Sequence, residues 1–161
     1  MSRTTTVHID LTAISENIHT LRGSLAAQRF MAVVKADAFG HGAVRVAQHI
    51  QHSVDALAVA FTEEAVALRE AGVDAPLLIL EGPHTASDLA LAGKLNLWPV
   101  IHSDEQLEWC KMLGADLSQA WIKIDTGMHR LGFAAERYAG IRDTLLSVSY
   151  THLRAHETYD H

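Results

Sequence analysis

The chain has 161 residues, 48% hydrophobic and 20% charged, which supplies one ordinary core and excludes a disordered polymer. Its 19 acidic residues against 13 Lys and Arg leave a net charge of -6, a field that does not hold a phosphate polymer, so nucleic acid is not an expected partner. The single cysteine, Cys110, excludes an internal disulfide, no apolar run nears the ~20 residues of a membrane crossing, and Met1 to Asp10 lacks an export signal, so the expectation is a cytoplasmic protein with no membrane partner.

In chain order, a strand-like piece, Thr5 to Asp10, stands apart from the repeating units of the rest of the chain. Helical patterns then cover Ala13 to Ala27, Gly42 to His52, Glu63 to Ala71, Ala86 to Ala92, Asp104 to Leu113 and Ala135 to Leu146. Between them lie short apolar runs, Phe30 to Val34, Ala56 to Phe61, Leu77 to Leu80, Leu97 to Ile101 and Ala120 to Ile124, which read as strands. The runs are nearly continuous rather than alternating, so both faces are expected to be covered, as in a parallel sheet with crossover helices. Gly72, Gly93 and Gly114 recur at a spacing of 21 and mark helix ends, while Thr62, Thr85 with Asp88, and Ser103 with Gln106 mark helix starts. This α/β alternation leaves an open doubly wound sheet and a (β/α) barrel as the two architectures. Five repeat strands end by Ile124, fewer than a full barrel uses.

In both architectures the working residues sit where strands end and helices begin. The first such end carries Lys35, then Asp37, Phe39, Gly40, His41 and Gly42 before the next helix. A lysine there either lays its stem over apolar surface with its amine in water, or presents a nucleophilic amine beside low-dielectric surroundings. Gly40 and Gly42 bring backbone N–H groups close to the following helix start, an expected anion or phosphate cradle to which His41 could add a donor. A dinucleotide fingerprint fails because Arg45 stands where its third glycine belongs. The second lysine end runs Lys123, Ile124, Asp125, Thr126, Gly127, Met128, His129, Arg130, Leu131, Gly132, Phe133. Lys123 and Asp125 share one face of the strand end, and Arg130 returns toward the same mouth from a glycine-bounded turn. These groups form either an ordinary salt-bridge cluster or an anion-fixing site built on the planar fork of arginine. No metal is expected: His49 and His52 share a helix face without acidic or thiolate company.

The stretch from Lys35 to Gly42 resembles the lysine motif of alanine racemases, and Lys123 to Phe133 resembles a second motif of the same family. With Leu80, Glu81, Gly82 and the Val100, Ile101, His102 segment, the resemblance covers about Thr5 to Leu146. It implies a partial (β/α)8 TIM-type barrel, truncated after five to six β/α units, with residues 1–146 as the pyridoxal-phosphate-binding domain. It also implies a homodimeric isomerase that interconverts L-alanine and D-alanine for peptidoglycan. By that resemblance Lys35 holds pyridoxal 5'-phosphate and is the base on one face, and Arg130 contacts the cofactor and the substrate carboxylate. Lys123 corresponds to a carbamylated lysine that orients the arginine, and Met128 lines the mouth. Phe39 replaces the usual tyrosine and so removes a donor to the phosphate. The family's opposite-face base, a tyrosine of a later β domain, has no counterpart among these residues, so the chain alone is expected to be inactive. A non-catalytic pyridoxal-phosphate carrier on the same barrel type is the alternative. Residues 147–161 are expected to be an unpacked, non-native tail: Val148 to Thr158 resembles a translated sequencing adapter, and His152 lies only 29 residues past Lys123.

Overall fold

The computed structural model describes residues 5–25, 28–114, 117–148 and 152–158. Helix α1, Leu11–Ser24, leads into strand β1, Met31–Val33. A short turn, α2 Lys35–Gly40, precedes helix α3, Ala43–Ile50. Four strand and helix pairs follow: β2 Ala56–Val59 with α4 Thr62–Glu70, β3 Leu77–Ile79 with α5 Ala86–Lys94, β4 Trp98–Ile101 with α6 Asp104–Leu113, and β5 Gln119–Asp125 with α7 Tyr138–Val148. A last strand is β6, His152–Thr158. All neighbouring strands pair in parallel, in the order β1-β2-β3-β4-β5-β6. This is an arc of a (β/α) barrel, in which each crossover helix packs outside the strand it follows.

Alternate strand residues serve two different layers, which explains the nearly continuous apolar runs. Leu57, Val59, Leu77, Ile79, Ile101 and Ile122 point outward into the large core shared with the helices. Ala58, Leu78 and Val100 point inward, where Met31, Leu80, Trp98 and Trp121 join them. Trp98 and Trp121 are thus barrel-interior residues, while Cys110 is buried in the outer layer and burial pushes its thiol up to about 11.

Several expected boundaries shift for local reasons. Residues 5–10 form no strand; Asp10 instead caps α1, its carboxylate accepting from the N–H groups of Thr12 at 2.9 Å and Ala13 at 3.1 Å. Strand β2 stops at Val59 and not at Phe61, because the N–H groups of Ala60 and Phe61 turn to the Glu64 carboxylate. The cap position of α4 is therefore Phe61, with Thr62 the first helical residue. Gly72 and Gly114 do take the left-handed conformation at helix ends, with φ of 80° and 52°. Gly93 does not: it lies inside α5, and Asn96, at φ 51°, makes the turn there.

Helix α7 runs past Leu146 to Val148, which packs on the outer core, and residues 152–158 are paired along the whole of β5, from Gln119↔His152 to Asp125↔Thr158. The expectation of an unpacked segment without a strand does not hold for this backbone. The far edge of β5 presents a row of N–H and C=O groups that any extended segment can satisfy. Tyr159 and His161 lie outside the described residues.

Candidate active site

The turn that carries Lys35 has an uncommon backbone. After Val34, itself tied to β2 by its N–H donating to Ala58 O at 2.8 Å, four successive non-glycine residues are left-handed: Ala36, Asp37, Ala38 and Phe39, with φ between 52° and 55°. Each costs about 1–2 kcal/mol relative to a right-handed residue, so neighbouring groups must hold the turn in place. Ala38 donates to Val34 O at 2.9 Å, and the Ala38 carbonyl accepts from the His41 N–H at 3.1 Å and lies 2.9 Å from its ring Nδ1. Gly42 donates to Asp37 O at 2.9 Å, and Ala43 donates to the Asp37 carboxylate at 2.6 Å. The expected phosphate cradle at the start of α3 is thus filled by Asp37, the acid of the turn itself. His41 closes the turn through its N–H and its ring Nδ1. Among these residues Lys35 is half-buried and Phe39 is 63% exposed.

The second motif is a loop pinned at both ends. Asp125 donates its N–H to Phe133 O, and Phe133 donates to Lys123 O, both at 2.9 Å, so residues 126–132 form an excursion from the end of β5. The Asp125 carboxylate organises that excursion by accepting from the N–H groups of Gly127 at 3.1 Å and His129 at 3.0 Å, with the His129 ring at 3.0 Å as well. These bonds hold the Asp125 carboxyl below the usual carboxylate range, the His129 N–H contributing most. Asp125 is therefore a turn-building group and not the partner of the two cations that a salt-bridge cluster requires. Gly132 is obligatory here: its φ is 123°, and a Cβ would lie 2.7 Å from Asp125 N.

Lys123 is 9% exposed on the strand face shared by Trp121, so its amine rises from the barrel interior at the mouth. Burial lowers its pKa first, the Arg130 and Lys35 charges lower it further, and Glu81 opposes them. Lys35 and Lys123 thus stand at the same mouth, where the parallel strands β1 and β5 end, and the Lys35 and Arg130 charges both act on Lys123; Arg130 has no hydrogen-bond or ion-pair partner among the described residues. Met128, 45% exposed, lies on the same excursion as Arg130 and makes no closed pocket of its own. A cluster of cations with one opposing carboxylate suits an anionic ligand, and a buried lysine whose pKa is lowered by burial and by the Arg130 charge is one whose amine loses its proton more readily than a surface lysine.

Two groups at the mouth carry structure that sequence pattern does not reveal. His102, after β4, has its Nε2 2.9 Å from Glu81 O; burial, ahead of the nearby Lys123 charge, lowers its pKa below the ordinary 6.5. Gln106, 3% exposed, accepts from the His102 N–H at 2.8 Å and donates to Pro83 O at 2.9 Å. It does mark a helix start, since Ser103 caps its N–H, but its amide also joins the loops after β3 and β4. Gly82 sits under this bridge, where a Cβ would come within 2.1 Å of Val100 O.

Known proteins share this sequence pattern and fold. The family model for the alanine racemase N-terminal domain matches residues 9–159. An alanine racemase of Alteromonas mediterranea is 43% identical over 98% of this chain and 43% of its own length, and one of Pseudomonas syringae is 46% identical over 86% of this chain and 39% of its own. The chain thus spans about two fifths of these relatives. Among solved structures, the biosynthetic alanine racemase of Pseudomonas aeruginosa superposes with a TM-score of 0.82 at 38% identity, over 94% of this chain and 43% of that one. The alanine racemase of E. faecalis gives 0.83 at 31% identity over the same shares of each chain, 94% and 43%. A matched family model over nearly the whole chain, on a parallel barrel arc with both lysine-bearing strand ends at one mouth, means that the chain belongs to the alanine racemase family.

Proposed function

We propose that this chain is the cofactor-binding part of a cytoplasmic, homodimeric alanine racemase that interconverts L-alanine and D-alanine and supplies D-alanine for peptidoglycan. The observation that carries the reading is the convergence of Lys35, buried Lys123 and Arg130, which has no partner among the described residues, at the C-terminal mouth of the barrel arc. Pyridoxal phosphate, when bound, supplies the electron sink that makes the Cα proton of an amino acid removable. Lys35 Nζ holds that group and exchanges the Cα proton on one face of the substrate. The Arg130 fork fixes the substrate carboxylate and the cofactor's phenolic oxygen, and Met128 borders the substrate. Phe39 offers only apolar surface where a hydroxyl would reach the phosphate. Lys123 reacts as the neutral amine with carbon dioxide: its nitrogen forms the bond to carbon, one proton leaves to solvent, and the resulting carbamate pairs with Arg130.

Racemisation needs a second base on the opposite face, and the proposal assigns that base to the remainder of the complete enzyme. The 161-residue chain incubated with pyridoxal phosphate and L-alanine is expected to yield no D-alanine above a Lys35→Ala control, whereas the complete enzyme yields it and loses it on the same substitution. Cofactor uptake without racemisation by the complete enzyme would favour the carrier alternative and overturn this reading.

A further inference from the structure

Glu64 stands in the first turn of α4, and its half-buried carboxylate meets two strand ends at once. One oxygen, Oε1, accepts from the Ala36 N–H at 2.6 Å; the other, Oε2, accepts from Ala60 at 2.7 Å and Phe61 at 3.2 Å. The bond to Phe61 is what a third helical residue does in an ordinary capping box. The bond to Ala36 is of another kind, because it reaches a loop 28 residues earlier in the chain.

A fixed N–H fixes its whole peptide plane. The plane that ends in the Ala36 N–H begins with the Lys35 carbonyl, so its direction sets ψ of Lys35 and φ of Ala36. At Ala36 the chain becomes left-handed, at φ 52°. The internal bonds of the turn start from the N–H groups of Ala38, His41 and Gly42, and the Ala36 N–H goes to Glu64. Because the same carboxylate holds the end of β2, it also fixes the β1 end against its neighbour. We infer that Glu64 is a positioning residue for Lys35: its carboxylate sets the direction in which the lysine leaves the end of β1. This rests on the reading of Lys35 as the cofactor anchor.

The control is Asp88, the equivalent first-turn acid of α5, which accepts from Thr85 N–H at 2.9 Å and His84 N–H at 3.2 Å but touches no lysine loop. Amide exchange in the intact chain, referenced to the core amide of Leu57, should rise at Ala36 by about tenfold or more in Glu64→Ala, since a protecting acceptor is lost. Glu64→Gln, which keeps one acceptor oxygen, should give a smaller rise, and Asp88→Ala none. Borohydride fixation of pyridoxal phosphate should lose its preference for Lys35 over Lys94 and Lys111 in Glu64→Ala and keep it in Asp88→Ala. Unchanged Ala36 exchange in Glu64→Ala, or an equal rise in Asp88→Ala, overturns the inference. A Lys35 preference that survives Glu64→Ala also overturns it; absence of capture at Lys35 in the unsubstituted chain counts against the functional reading alone.

Discussion

Lys123 sits in a place that disfavours charge. It is 9% exposed and faces Arg130 and Lys35, so protonation in the folded state costs more than in the unfolded chain. Its folded pKa lies below 10.5, so the unfolded state binds the proton first as pH falls. Stability from this group is therefore full above 10.5 and declines as pH drops toward the folded value. Lys123→Met is expected to raise neutral-pH stability on the order of 1–3 kcal/mol, the cost of a poorly satisfied buried polar group, and to flatten the alkaline rise. Urea unfolding at a series of pH values measures both. Bicarbonate at mildly alkaline pH should stabilise the unsubstituted chain and leave Lys123→Met unaffected; parallel responses in the two proteins would exclude an anionic form of Lys123. The two lysines and Arg130 are legible in sequence because each lies at, or a few residues past, the end of an apolar run that a parallel sheet ends at its mouth. Glu64 and Gln106 are not, because a first-turn acid or amide looks the same whether it caps its own helix or reaches another loop.

The elements that present these residues depend on backbone conformations as much as on side chains. Gly132 closes the excursion bearing Arg130 at φ 123°, with no room for a Cβ, whereas Gly140 lies in α7 with open space around it. Gly132→Ala is expected to lose about 1–3 kcal/mol through backbone strain and displacement of the Asp125 to Phe133 connection. Gly140→Ala is expected to gain about 0.5–1 kcal/mol from helix propensity. Denaturant midpoints of the two variants check the opposite signs; equal shifts would mean that the loop tolerates the added carbon. Helices and strands are legible at this scale because apolar period and caps agree over α5 and α6, where Thr85 and Ser103 cap as expected. The left-handed turn is not, since Ala36, Ala38 and Phe39 carry no local preference for it and it is held by its own hydrogen bonds and by the distant Glu64 of α4. The end of β2 departs from the apolar pattern for a related reason: Ala60 and Phe61 continue the run, but Glu64 withdraws their N–H groups from the sheet.

In the molecule as a whole, parallel pairing in chain order brings the ends of β1 and β5 to one mouth although about ninety residues separate Lys35 from Lys123. Barrel and open sheet share the same α/β alternation, so the architecture follows from the family resemblance and from the strand order, not from periodicity. Strand β6 escapes sequence reading because its seven residues have a mixed polar pattern and gain their ladder from β5, a long-range pairing that local pattern does not encode. The same long-range assembly places Lys35 at the mouth, at the end of β1, on the same side of the sheet as Lys123. The chain has four lysines, Lys35, Lys94, Lys111 and Lys123, so the anchor can be identified by competition within one molecule. The chain is incubated with pyridoxal phosphate, fixed with borohydride, digested and mapped by mass spectrometry. The cofactor is expected to be fixed predominantly on Lys35, and Lys35→Ala to abolish this product without transferring it; fixation predominantly on Lys94, Lys111 or Lys123 would refute the assignment of Lys35 as the anchor.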